Sequence, residues 1–212
     1  MTHAIHVHKA GPASVLKWQE TEIGKPKKGQ LLIRNTAVGL NFIDTYHRKG
    51  LYPIPMPFTP GVEGAGIIEA IGAGVTKLKI GDRVAYCSDP IGSYAEQRIF
   101  PAERAIKIPS GISDEQAASM MLKGLTAAML LKRIYTPAKG DKVLIHAAAG
   151  GVGLILCQWA KHLGATVIGT VGSRKKAALA KANGCDHPII YTEKNFVERV
   201  QRLTKKEGVP VV

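Results

Sequence analysis

The chain has 212 residues, 45% of them hydrophobic and 21% charged, which is a globular composition with room for one large or two modest domains and excludes a disordered or collagen-like chain. Lys and Arg number 29 against 16 Asp and Glu, a formal charge of +13 that invites polyanionic partners such as nucleotides, nucleic acid or anionic lipid without choosing among them. The cysteines Cys87, Cys157 and Cys185 are scattered and form no C-x-x-C pair, which argues against a disulfide framework or a cysteine-rich zinc site and for a reducing, cytoplasmic setting. The first residues lack a signal-peptide pattern, and no stretch has the unbroken apolar run of a membrane span.

Up to about Ser110, short apolar runs punctuated by Gly and Pro predict a β-rich domain, with strands near Ala4–Val7, Leu31–Val38, Gly66–Ile71, Arg83–Tyr86 and Arg98–Phe100. Pro53, Pro55, Pro57 and Pro60 predict a stiff loop, because proline fixes φ and lacks a donor. Ser113 and Gln116 are spaced as a capping box opening a helix. Strands and helices then alternate. A strand over Lys142–His146 is followed by a helix over Val152–Leu163, a strand over Thr166–Thr170, and a helix over Arg174–Asn183 closing at Gly184. Pro188–Tyr191 reads as a third strand, Asn195–Lys206 as an amphipathic helix and Val209–Val212 as the opening of a fourth strand. This β-α-β order predicts a doubly wound parallel sheet, of which the first half is present. The pattern reads as the front part of a longer design, with domains over residues 1–122 and 123–212. Exposed apolar surface and self-association are the expected consequences.

Between the first strand and helix of the second domain lies Ala147-Ala148-Ala149-Gly150-Gly151-Val152-Gly153. Gly150 and Gly153 hold the second and third glycine positions of the G-x-G-x-x-G fingerprint, and Ala148 stands at the first. Close backbone approach at Gly150, Gly151 and Val152, with the positive end of the helix dipole behind them, suits a pyrophosphate. An acid is expected about twenty residues further on if a ribose 2′-hydroxyl is to be bound. The run there is Gly172-Ser173-Arg174-Lys175-Lys176, a hydroxyl and three cations that favour a 2′-phosphate, hence NADP(H) over NAD(H). Cations in a first helical turn also oppose the dipole unless an anion is bound there. Tyr191 is placed to pack against the adenosine phosphate end or simply to close its strand.

The run from Gly140-Asp141-Lys142-Val143-Leu144 through Gly150-Gly151-Val152-Gly153 to Gln158 and Lys161 resembles the signature of the quinone oxidoreductase/zeta-crystallin branch of the medium-chain dehydrogenase/reductase superfamily. Further resemblance runs through Asn41-Phe42-Ile43-Asp44-Thr45-Tyr46, Gly50-Leu51-Tyr52-Pro53, Gly61-Val62-Glu63-Gly64-Ala65-Gly66, Gly81-Asp82-Arg83-Val84, Gly92-Ser93-Tyr94-Ala95-Glu96 and Leu122-Lys123-Gly124-Leu125-Thr126. It implies a GroES-like β domain joined to a Rossmann domain, with NADPH as cofactor. Zinc-dependent relatives place Cys, His and Cys or Asp where this chain is expected to carry Asn41, Val62 and Lys123 or Leu122, so no metal is expected. His6 and His8 share a strand face without a third ligand nearby.

By the same resemblance, the loop Asn41–Tyr46, with Asn41, Phe42, Asp44 and Tyr46, lines the nicotinamide end, and Thr126 lies beside the nicotinamide ribose, with Lys123 nearby. Tyr46 and Tyr52 border the acceptor pocket, each offering a flat face and a hydroxyl to a quinone. They read equally as loop anchors, and Asp44 as orienting the loop. Asn41, Tyr46 and Tyr52 are the candidate catalytic groups, positioning a hydride donor against an electron-poor acceptor. Reduction of activated C=C bonds in enones or enals uses the same geometry, and an inactive fragment with residual nucleotide or RNA binding is the third reading. The chain carries no RNP or helix-turn-helix motif, so nucleic acid is not an expected partner. The family implies a homodimer, and no membrane association is expected.

Overall fold

Leu31 and Ile33, buried on one face of β3 (Gln30–Val38) with half-buried Leu32 between them on the other, make it the spine of the first sheet. The computed structural model describes residues 1–212 and divides by contact density into two units, Met1–Leu122 and Lys123–Val212. In the first, β3 pairs antiparallel with β4 (Glu63–Ile71) and with β6 (Gln97–Pro101), while β4 pairs with β5 (Arg83–Cys87) and β5 with β7 (Ala105–Lys107). The order is β6-β3-β4-β5-β7. Leu31, Ile33, Ile68, Val84, Tyr86 and Phe100 form one core, and Ala65, Ala85 and Ile108 form a second with Ala117 and Ala118 of α2 (Asp114–Met129). These small residues let the helix lie close to the sheet.

A separate ribbon pairs β1 (Thr2–Val7) with β2 (Leu16–Thr21). Val7 and Phe58 exchange main-chain hydrogen bonds of 2.9 and 3.2 Å, stitching the proline-rich loop to the ribbon. Neither β2 nor β7 is anticipated by sequence pattern, since Leu16-Lys17-Trp18-Gln19-Glu20-Thr21 alternates only over its first four residues and β7 has three residues. A larger correction concerns residues 41–46, expected as loop. Asn41 is the N-cap of α1 (Phe42–Lys49), which Gly50 ends in a left-handed turn at φ 77°.

The second unit is a parallel sheet, order β10-β9-β8, built from β8 (Lys142–Ile145), β9 (Thr166–Val171) and β10 (His187–Ile190). Connections run through α3 (Gly151–His162) and α4 (Arg174–Ala182), and α5 (Phe196–Leu203) follows β10. Val143, Ile145, Val167 and Val171 pack on one face with Cys157, Ala160 and Ala180; Leu144, Ile168 and Ile189 pack on the other with Val200. Burial on both faces explains their uninterrupted apolar runs. Val211 bridges parallel to Val143, on the side of β8 away from β9, the neighbour order expected at a doubly wound switch point.

The capping box is present: Ser113 Oγ accepts from Gln116 N–H at 3.2 Å and Gln116 Oε1 from Ser113 N–H at 2.9 Å. Beyond Met129 the helix continues as a π turn over Leu130–Ile134, closed by Tyr135 N–H on Leu130 O at 2.9 Å. The last helix stops at Leu203, short of the expected Lys206. Thr204 Oγ donates back to Val200 O and accepts from Gly208 N–H, while Lys205 and Lys206 turn to left-handed φ of 53° and 70°.

Candidate functional site

In the second unit the sheet's carboxyl edge gathers the residues singled out in sequence. The turn after β8 is tied to β9 by Ala148 N–H on Thr170 O at 3.1 Å and to itself by Gly150 N–H on Ala147 O at 2.7 Å. Ala147 takes the left-handed region at φ 51°, a strained conformation for a residue with a side chain and one that pattern alone does not reveal. A Cβ on Gly153 would lie 2.3 Å from Ala147 O and 2.9 Å from Ala148 Cα, so α3 can start this close to the strand only with glycine there. A Cβ on Gly151 would meet Lys123 Cδ at 2.8 Å, which puts the Lys123 stem across the glycine turn, one helical turn from Thr126 on α2. Val152 follows in the first turn of α3, where the leading N–H groups have no carbonyl of their own helix to bond. Gly169 of β9 faces Ala148: a Cβ there would lie 2.6 Å from Ala148 Cβ and 2.7 Å from Cys185 Sγ.

At the end of β9, Ser173 caps α4 by accepting Lys176 N–H at 3.3 Å. No acid lies in the first turn of this helix. Arg174, Lys175 and Lys176 are exposed. Arg174 Nε donates to Glu193 Oε1 at 3.1 Å. The unfavourable cation at the dipole's positive end is thus partly offset from within the protein, by a surface pair of small worth. The Tyr191 hydroxyl stands over Gly172, 2.8 Å from where a Cβ would be. His146, which sequence reasoning did not select, lies at the same edge, with Nδ1 2.9 Å from Thr170 Oγ1 and its ring edge-on to Phe196 at 5.4 Å. Glycine turn, helix N-terminus, hydroxyls and cations together fit a dinucleotide with a 2′-phosphate.

In the first unit, Asn41, Phe42, Asp44 and Tyr46 sit on the start of α1, and Tyr52 follows its end. The rings of Tyr46 and Tyr52 meet edge-on at 5.5 Å, Phe42 lies 6.2 Å from Tyr46, and Phe42 and Tyr52 are exposed. Beneath this aromatic ledge is a buried polar cluster. Asn41 N–H donates to Asp44 Oδ2 at 2.9 Å, and Tyr94 OH donates to the same oxygen at 2.8 Å. Asn41 Nδ2 donates to Glu63 Oε1 at 2.7 Å, and Glu63 Oε2 accepts Leu122 N–H at 2.7 Å. Burial pushes the Asp44 carboxyl above the usual carboxylate range, against the Tyr94 hydroxyl, the Asn41 N–H and His47, while Glu63 adds to the rise. Burial, then Asp44, raises the Tyr94 phenol. Asp44 Oδ1 and His47 Nδ1 are buried without a hydrogen-bond partner.

Sequence reasoning missed Glu63, Tyr94 and His47. The usable signal was an acid inside the small-residue run Gly61–Gly66, where a charge is costly unless it organises hydrogen bonds. The donor set does not fit zinc: Val62 is apolar and buried, and the Asn41 amide is spent donating to Glu63. No helix is long and apolar enough to cross a membrane.

Residues 27–110 match the family pattern described as alcohol dehydrogenase GroES-like domain, and residues 151–212 match zinc-binding dehydrogenase. The chain is 47% identical to a quinone oxidoreductase of Pseudomonas aeruginosa and 46% identical to a 2-haloacrylate reductase of Burkholderia sp, covering 100% of itself and 66% of each relative. The crystal structure of Escherichia coli quinone oxidoreductase complexed with NADPH superposes with a TM-score of 0.97 at 45% identity, over 99% of this chain and 65% of that one.

Proposed function

Because the chain belongs to the quinone oxidoreductase, zeta-crystallin-like branch of the medium-chain dehydrogenase/reductase superfamily, we propose that it serves an NADPH-dependent, zinc-independent reduction of quinones. The observation that carries this reading is the end of β9, where Ser173, Arg174 and Lys176 replace the acid that an unphosphorylated ribose would require. Gly150, Gly151 and Val152 bring main-chain N–H groups to the pyrophosphate, Ser173, Arg174 and Lys176 hold the 2′-phosphate, and Gly172 with Tyr191 borders the adenosine end. Thr126, Asn41, Phe42, Asp44 and Tyr46 serve the nicotinamide half. NADPH when bound supplies a hydride. Tyr46 and Tyr52 give the acceptor a flat apolar face and a hydroxyl that donates to the oxygen on which charge develops. Exclusion of bulk water by Phe42 and the two tyrosines would strengthen that hydrogen bond.

A second reading, reduction of an activated C=C bond, is favoured by the likeness to a 2-haloacrylate reductase. It uses the same hydride geometry on a different acceptor. Three buried free thiols suit a reducing, cytoplasmic setting. The test is NADPH oxidation by the chain with 1,4-benzoquinone and with a halogenated acrylate, each in the presence of a strong chelator. Saturable turnover of the quinone that survives chelation is the expected result; turnover of the acrylate alone would favour the second reading, and loss of activity on chelation would overturn both.

A further inference from the structure

We propose that Glu193 is a specificity-determining residue: its carboxylate holds Arg174 as an internal stand-in for the cofactor's 2′-phosphate, and so keeps the preference for NADPH over NADH below what Ser173, Arg174 and Lys176 alone would give. This rests on the cofactor reading above and concerns only its adenosine end, which the second unit carries by itself. The first turn of α4 has no acid of its own. The fold brings one in from the turn after β10. Tyr191 N–H donates to Val171 O at 3.1 Å, and the Tyr191 hydroxyl stands over Gly172, so that turn is stitched to the end of β9. Glu193 N–H and Lys194 N–H both donate to Ile190 O at 3.0 Å, which anchors the backbone carrying the acid. Glu193 Oε1 then accepts from Arg174 Nε at 3.1 Å.

A guanidinium presents five N–H donors in a rigid planar fork and grips a carboxylate or a phosphate best with two of them. With Nε given to Glu193, the side-on grip that pairs Nε with a terminal nitrogen is closed to a phosphate. A phosphate held end-on would face the Glu193 carboxylate across one guanidinium, like charge against like. The 2′-phosphate therefore has to displace Glu193 from Arg174. A ribose with a free 2′-hydroxyl makes no such demand, so the acid opposes NADPH and leaves NADH alone. The opposition is modest, because the Arg174 and Glu193 side chains are 85% and 41% exposed and water screens such a pair.

Titration calorimetry of the full chain with adenosine 2′,5′-bisphosphate and with AMP reads the adenosine end alone, and NADPH and NADH repeat the comparison with whole cofactors. Glu193→Gln should tighten the bisphosphate and NADPH about threefold, the worth of an exposed ion pair, and leave AMP and NADH as they were. Glu207→Gln removes the same charge from an exposed position beyond the last turn of α5 and should move none of the four. With Arg174→Ala already in place, Glu193→Gln should gain less than about 1.5-fold for the bisphosphate, since nothing is left to compete for. A full threefold gain without Arg174 would make Glu193 a through-space charge and overturn the proposal. So would equal tightening of AMP, or a parent that prefers NADPH beside a Glu193→Gln variant that binds it no better; in both cases the cofactor reading stands. Failure of parent and variant alike to bind any of the four would overturn the cofactor reading and the proposal with it.

Discussion

The Tyr94 hydroxyl donates to Asp44 Oδ2 at 2.8 Å, across 50 residues of chain. It opposes the burial that raises the Asp44 carboxyl. A carboxyl raised in the folded state adds stability that is full below its ordinary value of 3.8 and lost as pH climbs through the raised one. Tyr94→Phe removes a donor to the ionised form and raises Asp44 further. The variant should be about 2 kcal/mol less stable at neutral pH, with the gap closing in mild acid where the carboxyl is protonated. Thermal unfolding at the two pH values checks this; a gap that widens in acid would sink it.

Gly153 and Gly150 lie three residues apart and differ in tolerance. An added Cβ meets backbone at 2.3 Å in the first case and at 3.1 Å in the second. Gly153→Ala should cost about 1–3 kcal/mol through forced backbone movement and abolish NADPH binding, while Gly150→Ala should fold normally and weaken binding alone. Paired calorimetry and thermal melts separate the two effects.

Replacing Arg174 and Lys176 by Ala should remove the preference for NADPH over NADH, since each charge-assisted hydrogen bond contributes about 1.5–3 kcal/mol, or roughly tenfold or more in affinity. NADH binding should be unchanged, because these side chains would touch only the 2′-phosphate. Competition titrations at two salt concentrations read this directly: the NADPH preference should shrink with salt in the parent and be insensitive to it in the variant.

Tyr52→Phe keeps the ring that meets Tyr46 edge-on at 5.5 Å and deletes the hydroxyl. Turnover of 1,4-benzoquinone should fall about tenfold, the worth of a hydrogen bond to developing charge, with NADPH affinity and Tm retained. Unaltered turnover would leave Tyr52 as a loop anchor.

The parallel sheet was legible because strands buried on both faces write continuous apolar runs, as in Val143-Leu144-Ile145 and Val167-Ile168. The Ser113–Gln116 cap and the Gly184 stop were legible because each depends on side-chain chemistry at a fixed offset. The helix over Phe42–Lys49 was not, since eight residues that place Phe42 and Lys49 in solvent and bury the polar Asp44 and His47 show no apolar helical stripe and draw their order from Asn41 and Asp44. In the candidate site, the sequence singles out residues that carry a local motif, whereas Glu63, Tyr94 and His47 have their contacts with partners distant in sequence or are set by burial. Their roles exist only once β4 and α1 lie side by side.

Ala148 occupies the place of the fingerprint's first glycine, and Gly169, on the adjacent strand, has no side chain to meet it. One methyl group fills a space that two cannot share. The fingerprint in this chain is therefore a rule about a pair of positions, one in the turn after β8 and one on β9, and a search pattern written only along the turn would reject sequences that fold the same way. Homologues with a bulkier residue at 169 should carry glycine at 148 and a side chain smaller than cysteine at 185, since an added Cβ meets both neighbours.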